Sequence, residues 1–240
     1  MNKTVFIDNV EVSAFSSIDD AINSAIYTSA GIIPGVAIAV NPEKIIAART
    51  NEQLQNILTK ATLKYPDGVG VSYVMGKKLK KKVARIPGCE LWERLMLKSV
   101  KQQIPVFLIG AKEEVIAKTK NKLLTLNVNV VGYQNGYFDK SNPEQLINDI
   151  SSSGAQIVSV ALGSPSQEMF IFECQKRLPN IFYMGVGGTY DVFTGNVKRA
   201  PLFFRKLRCE WLYRLLSQPT RIGRQTNLLK YIYLYLKGAL

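Results

Sequence analysis

Five short, continuously apolar runs decide what this chain can fold into: "VAIAV" (Val36 to Val40), "PVFLIG" (Pro105 to Gly110), "VNVVG" (Val128 to Gly132), "QIVSVALG" (Gln156 to Gly163) and "IFYMGVGG" (Ile181 to Gly188). They do not alternate polar with apolar, so each reads as a strand covered on both faces. Helical stretches separate them. "NPEK" opens an amphipathic run to about Ala61, with Asn41 as N-cap and Pro42 at the first helical position. "AKEEVIAKTKNKLLTL" follows the second run, "NPEQLINDISSS" the third with Asn142 as cap, and "SPSQEMFIFECQKRL" the fourth. Strand, helix, strand in succession gives an open, mostly parallel, doubly wound α/β sheet of Rossmann-like type. The first 30 residues read as a hairpin over Thr4 to Ser13 and a helix, and no internal repeat interrupts the chain. The alternation stops near Pro201, which divides the chain into a Rossmann-like domain over residues 1–200 and a helical appendage over 201–240.

The charge is localised. The net charge is +13, but "KKLKKKVAR" (Lys77 to Arg85) holds six positive residues and no negative ones. From Lys198 to Leu240 there are ten Lys or Arg against Glu210 alone. The remainder is close to neutral, so the basicity forms two patches and points to an anionic partner. The second patch is split by "SQP" (Ser217 to Pro219) into "LFFRKLRCEWLYRLL" and "TRIGRQTNLLKYIYLYLKG", both mixing Lys and Arg with Tyr, Trp, Phe and Leu. That mixture suits helices lying on an anionic bilayer surface. The less favoured alternative is a helical pair packed on the domain with a solvated charged face, and a nucleic-acid module is a third that the dense Leu and Tyr content disfavours. No run reaches the 18 or more apolar residues of a spanning helix. The N-terminus lacks the apolar core of a signal peptide. Three dispersed cysteines, Cys89, Cys174 and Cys209, fit a reducing compartment rather than a disulfide framework. The expected location is the cytoplasm.

In an open α/β sheet, ligands sit beyond the carboxyl ends of the strands. The unusual residues fall there: "VNPEK", "IGAK", "GYQNGYF", "ALGSPSQE" and "GVGGTYDVFTG". Gly110, Gly163, Gly187 and Gly188 would let backbone approach a ligand, and the helix starts after Gly110 and Gly163 offer N–H groups to a phosphate. Glycine at such turns is also ordinary geometry. Their recurrence after successive strands favours an anionic ligand of nucleotide type. The dinucleotide fingerprint is missing from the first strand–helix turn, and no GxxxxGK[ST] loop occurs. With no histidine, no D-x-D and no clustered cysteines, neither a metal nor a cofactor is indicated.

Two residues carry competing roles. Ser164, Pro165 and Gln167 fit the N-cap, N1 and N3 positions of a capping box, yet a polar group on that first turn also faces the sheet's carboxyl edge. Asp67, in "YPDGVGV", is either an ordinary Pro-Asp-Gly turn residue or a carboxylate held to act as general base.

Taken together, "YPDGVGV", "ALGSPSQE", "GVGGTYDVFTGNVKRAP" and "EWLYRLLSQPTRIGR" closely resemble, in order and spacing, the WecG/TagA/CpsF glycosyltransferases. The resemblance implies an inverting, metal-independent transfer of an N-acetylmannosamine-type sugar from UDP to a polyprenyl-diphosphate-linked acceptor. "YMGVGGTYDVFTG" and "WLYRLLSQP" look most like the members that move N-acetyl-D-mannosaminuronic acid onto N-acetylglucosaminyl-diphospho-undecaprenol in enterobacterial common antigen synthesis. The alternative branch uses UDP-N-acetylmannosamine for teichoic-acid-like or capsule linkages. By the same resemblance Asp67 is the base, and Asn41, Arg85 and Gln167 surround the sugar. Gly110, Tyr137, Gly188 and Asp191 sit where the family binds UDP, and Gly163 and Gly187, from their place at the strand ends, are expected at the same donor site. Arg214, Arg221 and Arg224 of the appendage reach a diphosphate at the cytoplasmic face of the inner membrane. Val40 stands where several relatives have a threonine nearby, and the lysine run is unusually dense. Oligomeric state, a homo-oligomer included, and the motion of the appendage are left open.

Overall fold

The computed structural model describes residues 3–198, 201 and 222–240, the side chains of 222–225 excepted. A six-stranded, wholly parallel sheet forms its centre. A hairpin of β1 (Thr4–Ile7) and β2 (Val10–Ser13) and helix α1 (Ile18–Ala25) come first, then a two-residue pairing of β3 (Tyr27–Thr28) with β4 (Gly31–Ile32). The sheet strands are β5 (Gly35–Val40), β6 (Leu63–Pro66), β7 (Val106–Gly110), β8 (Val130–Gln134), β9 (Ile157–Ala161) and β10 (Phe182–Gly185). Their order is β6-β5-β10-β9-β7-β8. The chain therefore steps outward from β5 to β6 on one side and from β7 to β8 on the other, which opens a crevice over the central strands.

Burial explains the unbroken apolar runs. Along β5, Val36, Ile38 and Val40 enter one core while Ala37 enters the other, on the opposite face. The first core takes Ile45 and Ile46 of α2 (Pro42–Ala48), Leu54 and Leu58 of α3 (Glu52–Lys60) and Ile171 of α8 (Ser166–Arg177). The second takes Leu91 and Trp92 of α5 (Gly88–Ser99) and Ile116 of α6 (Glu113–Thr125). Helices α4 (Val69–Leu79), α7 (Glu144–Ser152) and α9 (Thr189–Phe193) complete the layers.

Four local expectations are corrected. The amphipathic run to Ala61 is two helices, because the Asn51 side chain accepts from the Leu54 N–H at 2.9 Å and caps a new start. Asn142 does not cap α7; Pro143 occupies that position without a side-chain bond. The third run pairs two residues later than "VNVVG" indicates, over Val130–Gln134. The capping box at Ser164 is absent: α8 starts at Ser166 after Pro165, again with no side-chain cap. One strand, β6, had no strand-like pattern at all; Lys64 lies buried within it and its ammonium donates to the Ala61 carbonyl at 2.9 Å.

The C-terminal helix (Ile222–Leu236) packs along α2 and the start of α4. Tyr231 is 3 % exposed, and its hydroxyl donates to the Gly70 carbonyl at 3.2 Å. Further along, Tyr235 meets Tyr73 edge-on with ring centroids 5.8 Å apart. The opposite side of this helix leaves Leu229, Ile232, Tyr233 and Leu236 exposed. The lysine run begins in the last turn of α4, where Lys77 and Lys78 face the negative end of the helix dipole. Eleven residues of helix put that run about 16 Å from Asp67.

Candidate active site

The turn after β6 carries Asp67, and the backbone holds it in place. Its N–H donates to the Val40 carbonyl at 3.0 Å, stitching the β6 turn to the end of β5. The Arg85 Nε donates to the Asp67 main-chain carbonyl at 2.7 Å. The Gly88 N–H, first residue of α5, donates to the Asp67 carboxylate at 3.2 Å. A half-buried carboxylate thus rests against the start of a twelve-residue helix. Asp67 and Arg85, 18 residues apart, are brought into one turn-to-loop unit.

Asn41 ends β5 and caps α2 as its sequence context indicates: its Oδ1 accepts from the Lys44 N–H at 2.8 Å. That bond fixes which end of the carboxamide is the oxygen and leaves the two Nδ2 hydrogens without a described partner. The absent Cβ of Gly68 would lie 2.6 Å from the Pro42 ring, which shows how closely the Asn41 and Asp67 turns abut.

Gln167 faces the sheet's carboxyl edge rather than its own helix start. Its Oε1 accepts from the Gly187 N–H at 3.0 Å, and its Nε2 donates to the Glu168 carboxylate at 3.2 Å. A Cβ on Gly185 would lie 2.7 Å from that Nε2, so the approach needs glycine at the end of β10. Glu168 is 1 % exposed and pairs with the Lys44 ammonium at 2.9 Å. Burial pushes the Glu168 carboxyl upward, but the Lys44 charge and the Lys44 and Gln167 hydrogen bonds outweigh it and hold it below the usual range. This bond sequence joins α2, α8 and the β10 turn. Lys44 and Glu168 were not singled out from sequence. The available signal was their place in "NPEK" and "SPSQE", on first helical turns at the carboxyl edge.

The remaining residues lie farther along that edge. Gly163, after β9, is exposed and accepts the Gln167 N–H at 2.8 Å. Gly188 is exposed at the start of α9, and Asp191 sits half-buried in its first turn. Gly110 is buried with φ +106° where β7 runs against β9, and a Cβ there would lie 2.4 Å from the Ala161 carbonyl oxygen. Its glycine is required by strand packing whatever binds nearby. Tyr137 is 76 % exposed on the loop after β8, the edge opposite β6. Edge to edge, a six-stranded sheet spans about 24 Å. The Gly136 N–H donates to the Ala111 carbonyl at 2.8 Å and folds that loop back toward β7. The first turn of α6 holds Glu113 and Glu114, which already complement its dipole. Arg214 and Arg221 lie outside the described residues, as does the side chain of Arg224. Among the described residues no helix is long and apolar enough to cross a membrane.

A carboxylate, two carboxamides and a guanidinium gathered at the carboxyl ends of β5, β6 and β9 can accept a proton and hold an oxygen-rich ligand. The sequence model of the glycosyl transferase WecG/TagA/CpsF family matches residues 5–240. That family uses a nucleotide-sugar donor and an acceptor, which is the pair of ligands such an edge suits. With nearly the whole chain inside the match, this protein belongs to the WecG/TagA/CpsF family of glycosyl transferases.

Proposed function

We propose that the enzyme moves N-acetyl-D-mannosaminuronic acid from UDP to N-acetylglucosaminyl-diphospho-undecaprenol, with inversion and without a metal, as in enterobacterial common antigen synthesis. The observation that carries the reading is Asp67, set between Arg85 and the start of α5 at the carboxyl end of β6 in a chain without histidine. In the reaction the acceptor hydroxyl oxygen attacks the anomeric carbon as Asp67 takes its proton. The bond from that carbon to the UDP phosphate breaks on the opposite face, and UDP leaves with the electron pair. Asn41 and Gln167 donate hydrogen bonds to sugar oxygens. Arg85 and Lys198 are the cations proposed for the donor carboxylate. Gly163, Gly187, Gly188, Asp191 and Tyr137 line the path proposed for UDP.

Residues 1–200 act as the catalytic domain and 201–240 as an appendage that brings it to the cytoplasmic face of the inner membrane. Leu229, Ile232, Tyr233 and Leu236, exposed beside Lys237, support that role. Within the same proposal, Arg214, Arg221 and Arg224 bind diphosphate oxygens.

The test is a transfer assay with N-acetylglucosaminyl-diphospho-prenol in anionic vesicles. Labelled UDP-N-acetylmannosaminuronic acid and labelled UDP-N-acetylmannosamine are supplied in parallel, with and without a chelator. Label entering lipid from the uronic acid alone, unaffected by chelation, and lost by at least 100-fold in Asp67→Asn is expected. Transfer only from the neutral sugar would move the enzyme to the alternative branch. Undiminished turnover by Asp67→Asn would remove the base.

A further inference from the structure

We infer that the buried Lys44–Glu168 pair is a positioning device for Gln167, fixing which end of its carboxamide the sugar pocket receives. The inference rests on the glycosyl-transfer reading of this site and extends it to two residues outside the sugar pocket proper. Glu168 is 1 % exposed and the Lys44 side chain 10 %, and they meet at 2.9 Å. A buried ion pair is a poor way to gain stability, because desolvation offsets the attraction and an apolar pair of similar volume does as well. Here the carboxylate is also under-used: Glu168 Oε2 has no hydrogen-bond partner among the described residues. Stability alone does not account for it.

Its geometry does. Glu168 Oε1 accepts from both Lys44 Nζ and Gln167 Nε2. A carboxylate only accepts, so it must face the amide nitrogen of Gln167. The Gly187 N–H only donates, so it must face the amide oxygen, as it does at 3.0 Å. The two contacts agree on one orientation and exclude the flipped one. Among the described contacts this leaves Gln167 one Nε2 hydrogen to offer a ligand, on the side that the pair sets. Lys44 keeps Glu168 ionised, and its own N–H is the donor that fixes Asn41. Position 44 therefore serves both carboxamides, its ammonium acting through Glu168 on Gln167 and its main-chain N–H directly on Asn41.

Removing one partner alone would strand a buried charge and endanger the fold. The test uses the charge-free pair Lys44→Met/Glu168→Leu, made in the full chain with Gln167 intact and again combined with Gln167→Ala. Each protein is assayed for transfer and for thermal midpoint, and the Gln167 side-chain amide is followed by NMR. With Gln167 intact, kcat/KM is expected to fall about tenfold and the Gln167 amide resonances to move. In the Gln167→Ala background the same pair should change kcat/KM less than twofold, since nothing is left to orient. A purely structural role would give the same fold-loss of kcat/KM in both backgrounds, whatever the thermal midpoint does, and that result overturns the inference. A Gln167→Ala enzyme with wild-type kcat/KM also overturns it while leaving Asp67 and the transfer reading intact. Absence of transfer by the unmodified protein defeats the function reading, and the amide resonances still decide whether the pair orients Gln167.

Discussion

Substituting Gly110 and Gly188 in parallel separates a glycine required by the sheet from one available to a ligand. At Gly110 the backbone has φ +106°, and an added Cβ would lie 2.4 Å from the Ala161 carbonyl oxygen and 2.5 Å from its carbon. Both are backbone atoms of the neighbouring strand, which cannot rotate away as a flexible side chain would. Positive φ adds about 1–2 kcal/mol for an L-residue, and forcing volume into a close-packed contact adds about 1–3 kcal/mol. Gly110→Ala should therefore lose roughly 4 kcal/mol, a large share of the ~5–15 kcal/mol that holds a domain folded. For a chain of this size each kcal/mol moves Tm by about 2–4 °C, so a fall of about 8–16 °C is expected. Gly188 has an ordinary negative φ of −78°, and a Cβ there meets nothing within 4 Å. Gly188→Ala should stay within about 0.5 kcal/mol of the wild type. Thermal unfolding followed by circular dichroism gives both numbers, and calorimetric titration with UDP follows on the stable variant. If UDP comes close to the Gly188 backbone, the added methyl weakens binding at least tenfold with Tm preserved. A Gly110→Ala protein melting within 3 °C of wild type would refute the packing argument. Unchanged UDP affinity in Gly188→Ala would take Gly188 out of the UDP path.

Tyr231 ties the C-terminal helix to the Asp67 turn. Tyr231→Phe should lose about 1 kcal/mol with its bond to the Gly70 carbonyl, and Tyr231→Ala about 3–5 kcal/mol. Hydrogen exchange at Gly70 to Ser72 should quicken in Tyr231→Ala, and unaltered exchange there would show that the helix does not brace the turn. The pH dependence follows from Glu168, whose folded-state pKa is held below its unfolded value. A depressed carboxyl contributes stability that is complete above the unfolded value of about 4.3 and is lost as pH falls through the folded one. The urea midpoint of the wild type should therefore drop more steeply below pH 4 than that of Lys44→Met/Glu168→Leu. Parallel curves would show that this carboxyl is not linked to folding.

The sheet was legible because parallel strands buried on two faces must be apolar throughout, and Val36 to Val40 or Ile157 to Ala161 satisfy that without reference to neighbours. β6 was not, because its burial comes from pairing with β5, more than 20 residues earlier, and Lys64 within it breaks the apolar pattern although its ammonium finds the Ala61 carbonyl. Asp67 stood out as one carboxylate in a glycine-flanked turn. Its contacts with Arg85 and Gly88 did not, since both cross a whole helix before returning. Gln167 shows the limit most clearly. Its spacing from Ser164 matches a capping box, and only the Gly187 N–H and the space left by Gly185 draw it toward the edge instead.

The sequence by itself determined the layered parallel architecture, the carboxyl edge as the place for chemistry, and the residue types available there. Periodicity and turn chemistry are local, and they act through the nearest few residues. The tertiary structure alone decided which side chains share a hydrogen. It set Lys44 against Glu168 across 124 positions of chain and laid Tyr231 on Gly70 across 161. It also gave Gln167 one orientation out of two. Those pairings follow from how helices from distant segments pack on one sheet, because only there do desolvation and partner geometry choose between contacts that the chain allows equally.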